Sequence, residues 1–446
     1  MIRIFLTSRS FGSSGRGGAA KSMTNIIEGL SKLDIFSIKI LTFSKYNPDF
    51  KNVGYLKVNR FVYHLKKICS DIGLPFGIQS FLLIPQILRK IKQFNPHLII
   101  TQTPIAYPTI IASIIKKIPI IYIIRDLRTF CPKYTDIYEY RQACTYFQPK
   151  KKCKQCILRW KHLRVLIGDK AKGYETSCKS LLKNIVYYLR IPLVKLNFKL
   201  ATKTSRNLLA SRLVRQFFQA SIENNNFLSR EDFQRKFKIA CITPIKKQGK
   251  LDISLVDQNR AHKMDKRKLD KILKTKKDTF LLYIISNQKN ELIKGTHFIF
   301  SLSKVLPPSW KLIIVGKEFD RFQDRPRVIN FGHIPLFILY KIYQKADITL
   351  VPSFFNETFG RIIIESIINT TPVITSPQCG ASYFFEDKKY LKIENLRLSK
   401  WISAISGFID SPPKITQTDV NEVLNKFSSS KSTEDFIRVI KGSYTF

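Results

Sequence analysis

Two glutamates eight positions apart, Glu357 and Glu365, stand in the stretch ADITLVPSFFNETFGRIIIESIINTTPVITSPQCG, residues 346–380. On one helix that spacing would leave them about two turns apart and roughly 80° out of line. Asn356, a turn former, and Gly360 instead put Glu357 on a loop, with Glu365 one turn into a helix starting near Arg361. Ile348, Leu350 and Val351 make a short apolar run stopped by Pro352-Ser353, the length and bounding of a buried parallel strand. Thr371-Pro372 ends the helix, and Val373-Ile374-Thr375 opens the next strand. Glu357 then lies at the carboxyl end of a strand, where open α/β sheets bind ligands. The helix start beside it offers free N–H groups and a positive dipole end to an anion such as a diphosphate. Carboxylates so placed can accept hydrogen bonds from a sugar hydroxyl (Glu357) and a ribose (Glu365). Two isolated acids would more readily read as a solvated loop acid and a surface helix acid.

The elements that must position them are spread over 446 residues, too long for a single core and enough for two domains. With 44% hydrophobic and 12% aromatic residues the chain can bury both cores, which excludes a disordered low-complexity protein. Lys+Arg 76 against Asp+Glu 32 gives a net charge of +44, a field that attracts nucleic acid, anionic lipid headgroups or phosphorylated substrates. Frequent Ile, Lys, Asn and Phe make compositional drift an equal explanation. The start MIRIFLTSRSFGSSG lacks a signal peptide's long apolar run. Prolines and Lys116-Lys117 break the most apolar region, 104–124, into a helix and a strand. Eight cysteines without a leader imply a reducing cytosol, so a cytoplasmic location is expected, with docking on the inner face of the plasma membrane.

Taken in order, Ile2 to Thr7 reads as a strand, residues 8–18 as a glycine-bearing loop with Gly17 and Gly18, and a helix starts near Ala19. A strand, glycine loop and helix let backbone N–H groups approach an anion, although the dinucleotide spacing is missing. Strands follow at Ile35–Thr42, Leu98–Thr101 and Ile118–Ile124, with helices between Phe61 and Phe94. Repeated strand–helix units argue for an α/β protein with doubly wound parallel sheets. Cys131, Cys144, Cys153 and Cys156 include one C-x-x-C pair that could hold a structural zinc, against which stand the long first gap and the missing second pair. Lysines, arginines and Trp160 around them suit an anionic membrane surface, or ordinary amphipathic helices with solvated lysines. The second domain starts at the strand Phe280–Ile285, followed by the loop SNQKNELIKG with Lys289 and Lys294. Strands Leu312–Val315 and Val328–Phe331 follow, the latter ending in Gly332. Residues 401–409 and 420–444 read as largely helical.

The run P-S-x-x-x-E-T-F-G-x-x-x-x-E-S, with T-P-V-I-T-S and a glycine after it, resembles the donor-binding segment of GT-B retaining glycosyltransferases of family 4. That resemblance implies two Rossmann-like domains facing across a cleft. It implies transfer of a sugar from a nucleotide-diphosphate donor to a glycan or lipid-linked acceptor, in surface polysaccharide or lipopolysaccharide assembly. It places Glu357 at the donor sugar with the backbone of Phe359 and Gly360, and Glu365 at the ribose. Lys294, followed by Gly295, matches the diphosphate lysine. Asn287 stands where family members carry Arg, and Lys289 is the candidate substitute. His333 and Ile334 fall where the nucleobase binds, and Gly17-Gly18 where a Gly-Gly faces the transferred group. In RDLRTFCP, Asp126 is kept while Arg125 replaces the family's histidine. No metal or cofactor is required where Lys supplies the charge. The implied domains are 1–215, a linker with edge elements over 216–278, 279–425, and a final helix over 426–446 crossing back to the first. No nucleic-acid-binding motif is present. A basic nucleic-acid binder and a GT-B scaffold that has lost activity are the alternatives.

Overall fold

The computed structural model describes residues 1–8, 18–43, 48–59, 80–102, 105–124, 137–138, 142–143, 206–209, 237–239, 278–285, 294–316, 318–354, 357 and 359–442. The chain divides into two compact units, Met1–Ile245 with Ser429–Phe446, and Lys246–Ser428.

Among the described residues the first unit is built on a seven-stranded parallel sheet. Its strands are β1 (Ile2–Ser8), β2 (Phe36–Thr42), β3 (Val53–Lys57), β4 (Leu98–Gln102), β5 (Ile120–Ile124), β8 (Arg206–Leu209) and β9 (Phe237–Ile239). Two further short strands, β6 (Ile137–Tyr138) and β7 (Gln142–Ala143), pair antiparallel with each other. The order is β3-β2-β1-β4-β5-β8-β9, so the winding reverses between β1 and β4. β4 and β5 are buried along their whole length, which is why they read as unbroken apolar runs. Side chains alternate across the sheet. Ile4 and Leu6 pack on one face with Met23, Ile26 and Leu30 of α1 (Gly18–Ser31). Phe5 and Ile99 pack on the other with Ile87 and Ile91 of α2 (Ile84–Phe94) and Ile110 of α3 (Ala106–Lys116). α2 ends where Asn95 takes a left-handed conformation (φ 46°) ahead of Pro96.

The second unit is a six-stranded parallel sheet of β10 (Thr279–Ile285), β11 (Trp310–Gly316), β12 (Val328–Asn330), β13 (Ile348–Val351), β14 (Val373–Thr375) and β15 (Leu391–Ile393). Its order, β12-β11-β10-β13-β14-β15, reverses between β10 and β13. On one face Leu281, Tyr283, Leu312 and Ile314 meet α4 (Thr296–Lys304) and Trp401 of α7 (Leu398–Asp410). On the other, Phe280, Leu282 and Ile313 meet Ile338, Ile342 and Tyr343 of α5 (Leu336–Lys345). α6 (Arg361–Ile368) connects β13 to β14.

The C-terminal stretch, read as largely helical over 420–444 with a final helix set off from 426, carries two helices: α8 (Gln417–Phe427) and α9 (Ser429–Lys441). Ser428 between them is extended (φ −62°, ψ 157°). α9 belongs to the first unit, where Phe436 and Ile440 join the core under α1. A Cβ on Gly29 of α1 would lie 2.2 Å from Thr433 Oγ1 of α9, so the helices can approach only because glycine stands there.

Candidate functional site

Parallel strands end together, so the residues before α4 (294–295) and those after β13 (352–354) meet at the carboxyl edge of the second sheet, where its winding reverses. Their contact is close. Gly295, the residue before α4, has φ +70°, and a Cβ on it would lie 1.8 Å from the Pro352 carbonyl oxygen. Only glycine tolerates both the left-handed backbone and that approach. From below, the buried Tyr283 hydroxyl of β10 donates to the Lys294 carbonyl (3.1 Å) and pairs with Thr296 Oγ1 (2.7 Å). The backbone that carries Lys294 is thereby fixed.

Lys294 Nζ forms an ion pair with Glu357 Oε2, and Ser353 Oγ donates to Glu357 Oε1. The two ionic side chains are mostly buried, 21% and 13% exposed, so this pair is screened less than a surface one. The Glu357 backbone is held as well: its N–H donates to Gln378 O (2.8 Å), and its carbonyl accepts from Gly380 N–H (2.9 Å). Ala381 N–H donates to Phe359 O. Ser376 Oγ donates to Ser353 O (2.6 Å), tying the loop after β14 to the loop after β13. Beneath them lies the fully buried Cys379, its sulfur 4.0 Å from Glu357 Oε1. Burial, and secondarily the Glu357 charge, push the Cys379 thiol up to about 12, so it keeps its proton and can only donate weakly to the carboxylate.

Gly360 (φ +83°) turns the chain into α6, whose first N–H groups have no partner within the helix. Glu365 lies one turn in, with Arg361 Nε 3.5 Å from its Oε1. Tyr343 of α5 is fully buried on the same group, and burial followed by the Glu365 charge holds its phenol well above the usual range. On the first turn of α4, His297 rests edge-on against Phe354 of the β13 loop, their rings 5.5 Å apart. Burial, and then Arg321, lower its pKa, favouring the neutral imidazole.

Of the residues singled out in the sequence, Glu357 and Lys294 come together as partners, with Phe359 and Gly360 beside them and Glu365 on the adjoining helix. His333 is exposed and Ile334 half-buried after β12, following Gly332 at φ +64°. Gly18 is the first residue of α1. Gly17, Arg125, Asp126, Lys289 and the cysteines 131, 144, 153 and 156 lie outside the described residues. Among the described residues no group of three or more His, Cys, Asp or Glu is placed to hold a metal, and no helix is long and apolar enough to cross a membrane. Ser353, Cys379, Arg361, Tyr343 and His297 were not singled out. Ser353 and Cys379 lie within the glutamate-bearing stretch, whereas Tyr343 and His297 reach the site only through the fold.

Among curated proteins none matches the sequence. Solved structures match it over nearly its whole length. HepE of Anabaena, in complex with UDP and glucose, aligns with 99% of this chain and 100% of its own (15% identity, TM-score 0.59). Sucrose-phosphate synthase from Thermosynechococcus elongatus aligns over 99% of each chain (13% identity, TM-score 0.60). WaaG, a glycosyltransferase involved in lipopolysaccharide biosynthesis, aligns with 98% of this chain and 100% of its own (13% identity, TM-score 0.56). Two parallel-sheet α/β units in this likeness make the fold GT-B. Residues 265–422, the part that carries Lys294, Glu357 and Glu365, match the family model for glycosyl transferases group 1.

Proposed function

We propose that the protein is a retaining glycosyltransferase that moves a hexosyl group from a nucleotide-diphosphate sugar to a glycan or lipid-linked acceptor. The observation that carries this reading is the Lys294–Glu357 pair at the reversal point of the second sheet, near the N-terminus of α6. The matching family model and the UDP in the HepE structure support a nucleotide-sugar donor. In this reading Glu357 accepts hydrogen bonds from donor-sugar hydroxyls and Glu365 from the ribose. Phe359 and Gly360 contribute backbone contacts, and His333 and Ile334 adjoin the base. Lys294, with Lys289, holds the diphosphate, and Gly17 and Gly18 approach the transferred group.

The carbon–oxygen bond to the diphosphate breaks as the acceptor oxygen bonds to the same face of the sugar, and the acceptor's hydroxyl proton passes to the departing diphosphate oxygen. Positive charge builds on the ring and negative charge on the departing diphosphate. A cation and helix-end amides fixed beforehand stabilise that leaving group. Before the donor arrives, Glu357 neutralises Lys294. A diphosphate supplies a second anion, leaving a Glu357 lone pair for the sugar. Arg125 and Asp126 are assigned to the donor-sugar end on sequence resemblance alone. No metal is assigned a role.

The net charge of +44 supports a phosphorylated or lipid-linked acceptor and docking on the cytoplasmic face of an anionic membrane. Surface polysaccharide or lipopolysaccharide assembly is the corresponding setting. Transfer assayed with a panel of UDP-, GDP- and ADP-sugars on a lipid-linked glycan tests the reading. One donor is consumed with the product anomer retained, and Glu357→Ala abolishes most of the rate. Wild-type rates in the variant would remove Glu357 from the site.

A further inference from the structure

The first turn of α6 carries a cation where a cation is disfavoured. Arg361 is the first helical residue, at the positive end of the helix dipole, and no acid accompanies it in the first turn. Its partner Glu365 lies four residues toward the C-terminus, the reverse of the Glu-before-Lys order that supports a helix. The pair is therefore a poor helix stabiliser. Neither is it a finished ion pair. At 3.5 Å its closest contact makes no hydrogen bond, and Arg361 Nε and Nη1 are both buried without any hydrogen-bond partner. The Tyr343 hydroxyl, near the same carboxylate, is buried and makes no well-formed hydrogen bond, only a marginal approach to Glu365. Its phenol nevertheless feels the Glu365 charge. Arg361 and Glu365 are only 20% and 21% exposed.

A carboxylate flanked by two under-used donors, partly open to solvent, is poised to be aimed rather than neutralised. We propose that Arg361 and Tyr343 are positioning residues that orient the Glu365 carboxylate toward a vicinal cis-diol, the ribose of the donor nucleotide. This rests on the nucleotide-sugar reading above and adds to it the means by which ribose is distinguished from a deoxyribose. A small rotation of the carboxylate brings one oxygen onto the guanidinium and the phenol. The other then accepts from the two ribose hydroxyls. Removing either donor leaves the carboxylate in place and unaimed.

The test is calorimetric binding of UDP, GDP and ADP, and of the 2′-deoxy counterpart of whichever binds, to wild type, Arg361→Met, Arg361→Lys and Tyr343→Phe. Wild type should prefer the ribonucleotide by about tenfold or more, the worth of a hydrogen bond to a charged group. Arg361→Met and Tyr343→Phe should each shrink that preference severalfold while deoxynucleotide affinity stays near wild type. Arg361→Lys should restore part of it. Tyr343→Phe removes one oxygen that makes no well-formed hydrogen bond, so it decides the matter even if Arg361→Met fails to fold. An unchanged preference in both variants overturns the inference. Equal loss of ribo- and deoxynucleotide binding in Arg361→Met also overturns it, because the guanidinium would then contact phosphate. Absence of all nucleotide binding in wild type overturns the glycosyltransferase reading, and this one with it.

Discussion

Glu357 has both carboxylate oxygens engaged, one by Lys294 and one by Ser353, in a mostly buried place. That arrangement sets two expectations at the scale of single residues. Lys294→Met leaves a mostly buried carboxylate without its counter-charge and should cost on the order of 2 kcal/mol. Urea unfolding followed by circular dichroism would measure it, and an unchanged midpoint would show the pair to be energetically idle. Glu357→Gln keeps the shape but loses the charge, and should lower transfer by about a hundredfold. Cys379 gives a pH signature. Its pKa is raised from an ordinary 9.0 to about 12, so above pH 9 the unfolded chain has lost a proton that the folded chain still holds. The contribution is fully present below pH 9 and declines as pH rises toward about 12. Cys379→Ala should flatten that part of the wild-type stability profile, and identical slopes in both would contradict the assignment.

At the scale of elements, glycine decides how the site is assembled. Gly295→Ala would meet the Pro352 carbonyl at about half of normal contact distance, in a left-handed backbone as well. We expect a loss of about 2 kcal/mol or more and a separate loss of donor binding, read by thermal melts with and without nucleotide. Much of this level was legible in the sequence. β1, β2, β4, β5, β10, β11 and β13 are buried runs with turn residues after them, and the loop–helix alternation around Glu357 follows from Gly360 and Thr371-Pro372. β3 was not, because Val53–Lys57 is a half-buried edge strand with no strong period. The Lys294–Glu357 contact spans 63 residues and depends on β13 lying beside β10 rather than beside β12. Local pattern carries no information on that order. Arg361 and Tyr343 escaped for the same reason: an arginine on a short helix and a tyrosine in an apolar one look ordinary until the helices are packed.

At the scale of the molecule, two sheets of one winding scheme divide the chain, and its last helix returns to the first of them. α9 is an integral part of that unit, since Phe436 is fully buried beside Met23 and Ile440. Phe436→Ala should destabilise the first unit by about 3–5 kcal/mol. In urea a transition belonging to that unit should move to lower denaturant, and no movement would mean α9 is dispensable. Net charge is the other molecular property. Association with anionic vesicles should weaken steeply with added salt, as expected for exposed lysines. Donor binding within the mostly buried site should change much less.

The central claim is that the carboxyl edge of the second sheet binds a nucleotide sugar. The most direct measurement is thermal stabilisation of wild type and Glu365→Ala by a panel of UDP-, GDP- and ADP-sugars. The account predicts that one donor raises the wild-type melting temperature and that the rise disappears in Glu365→Ala. No shift of the wild type with any donor, together with tight and salt-sensitive binding to nucleic acid, would contradict it.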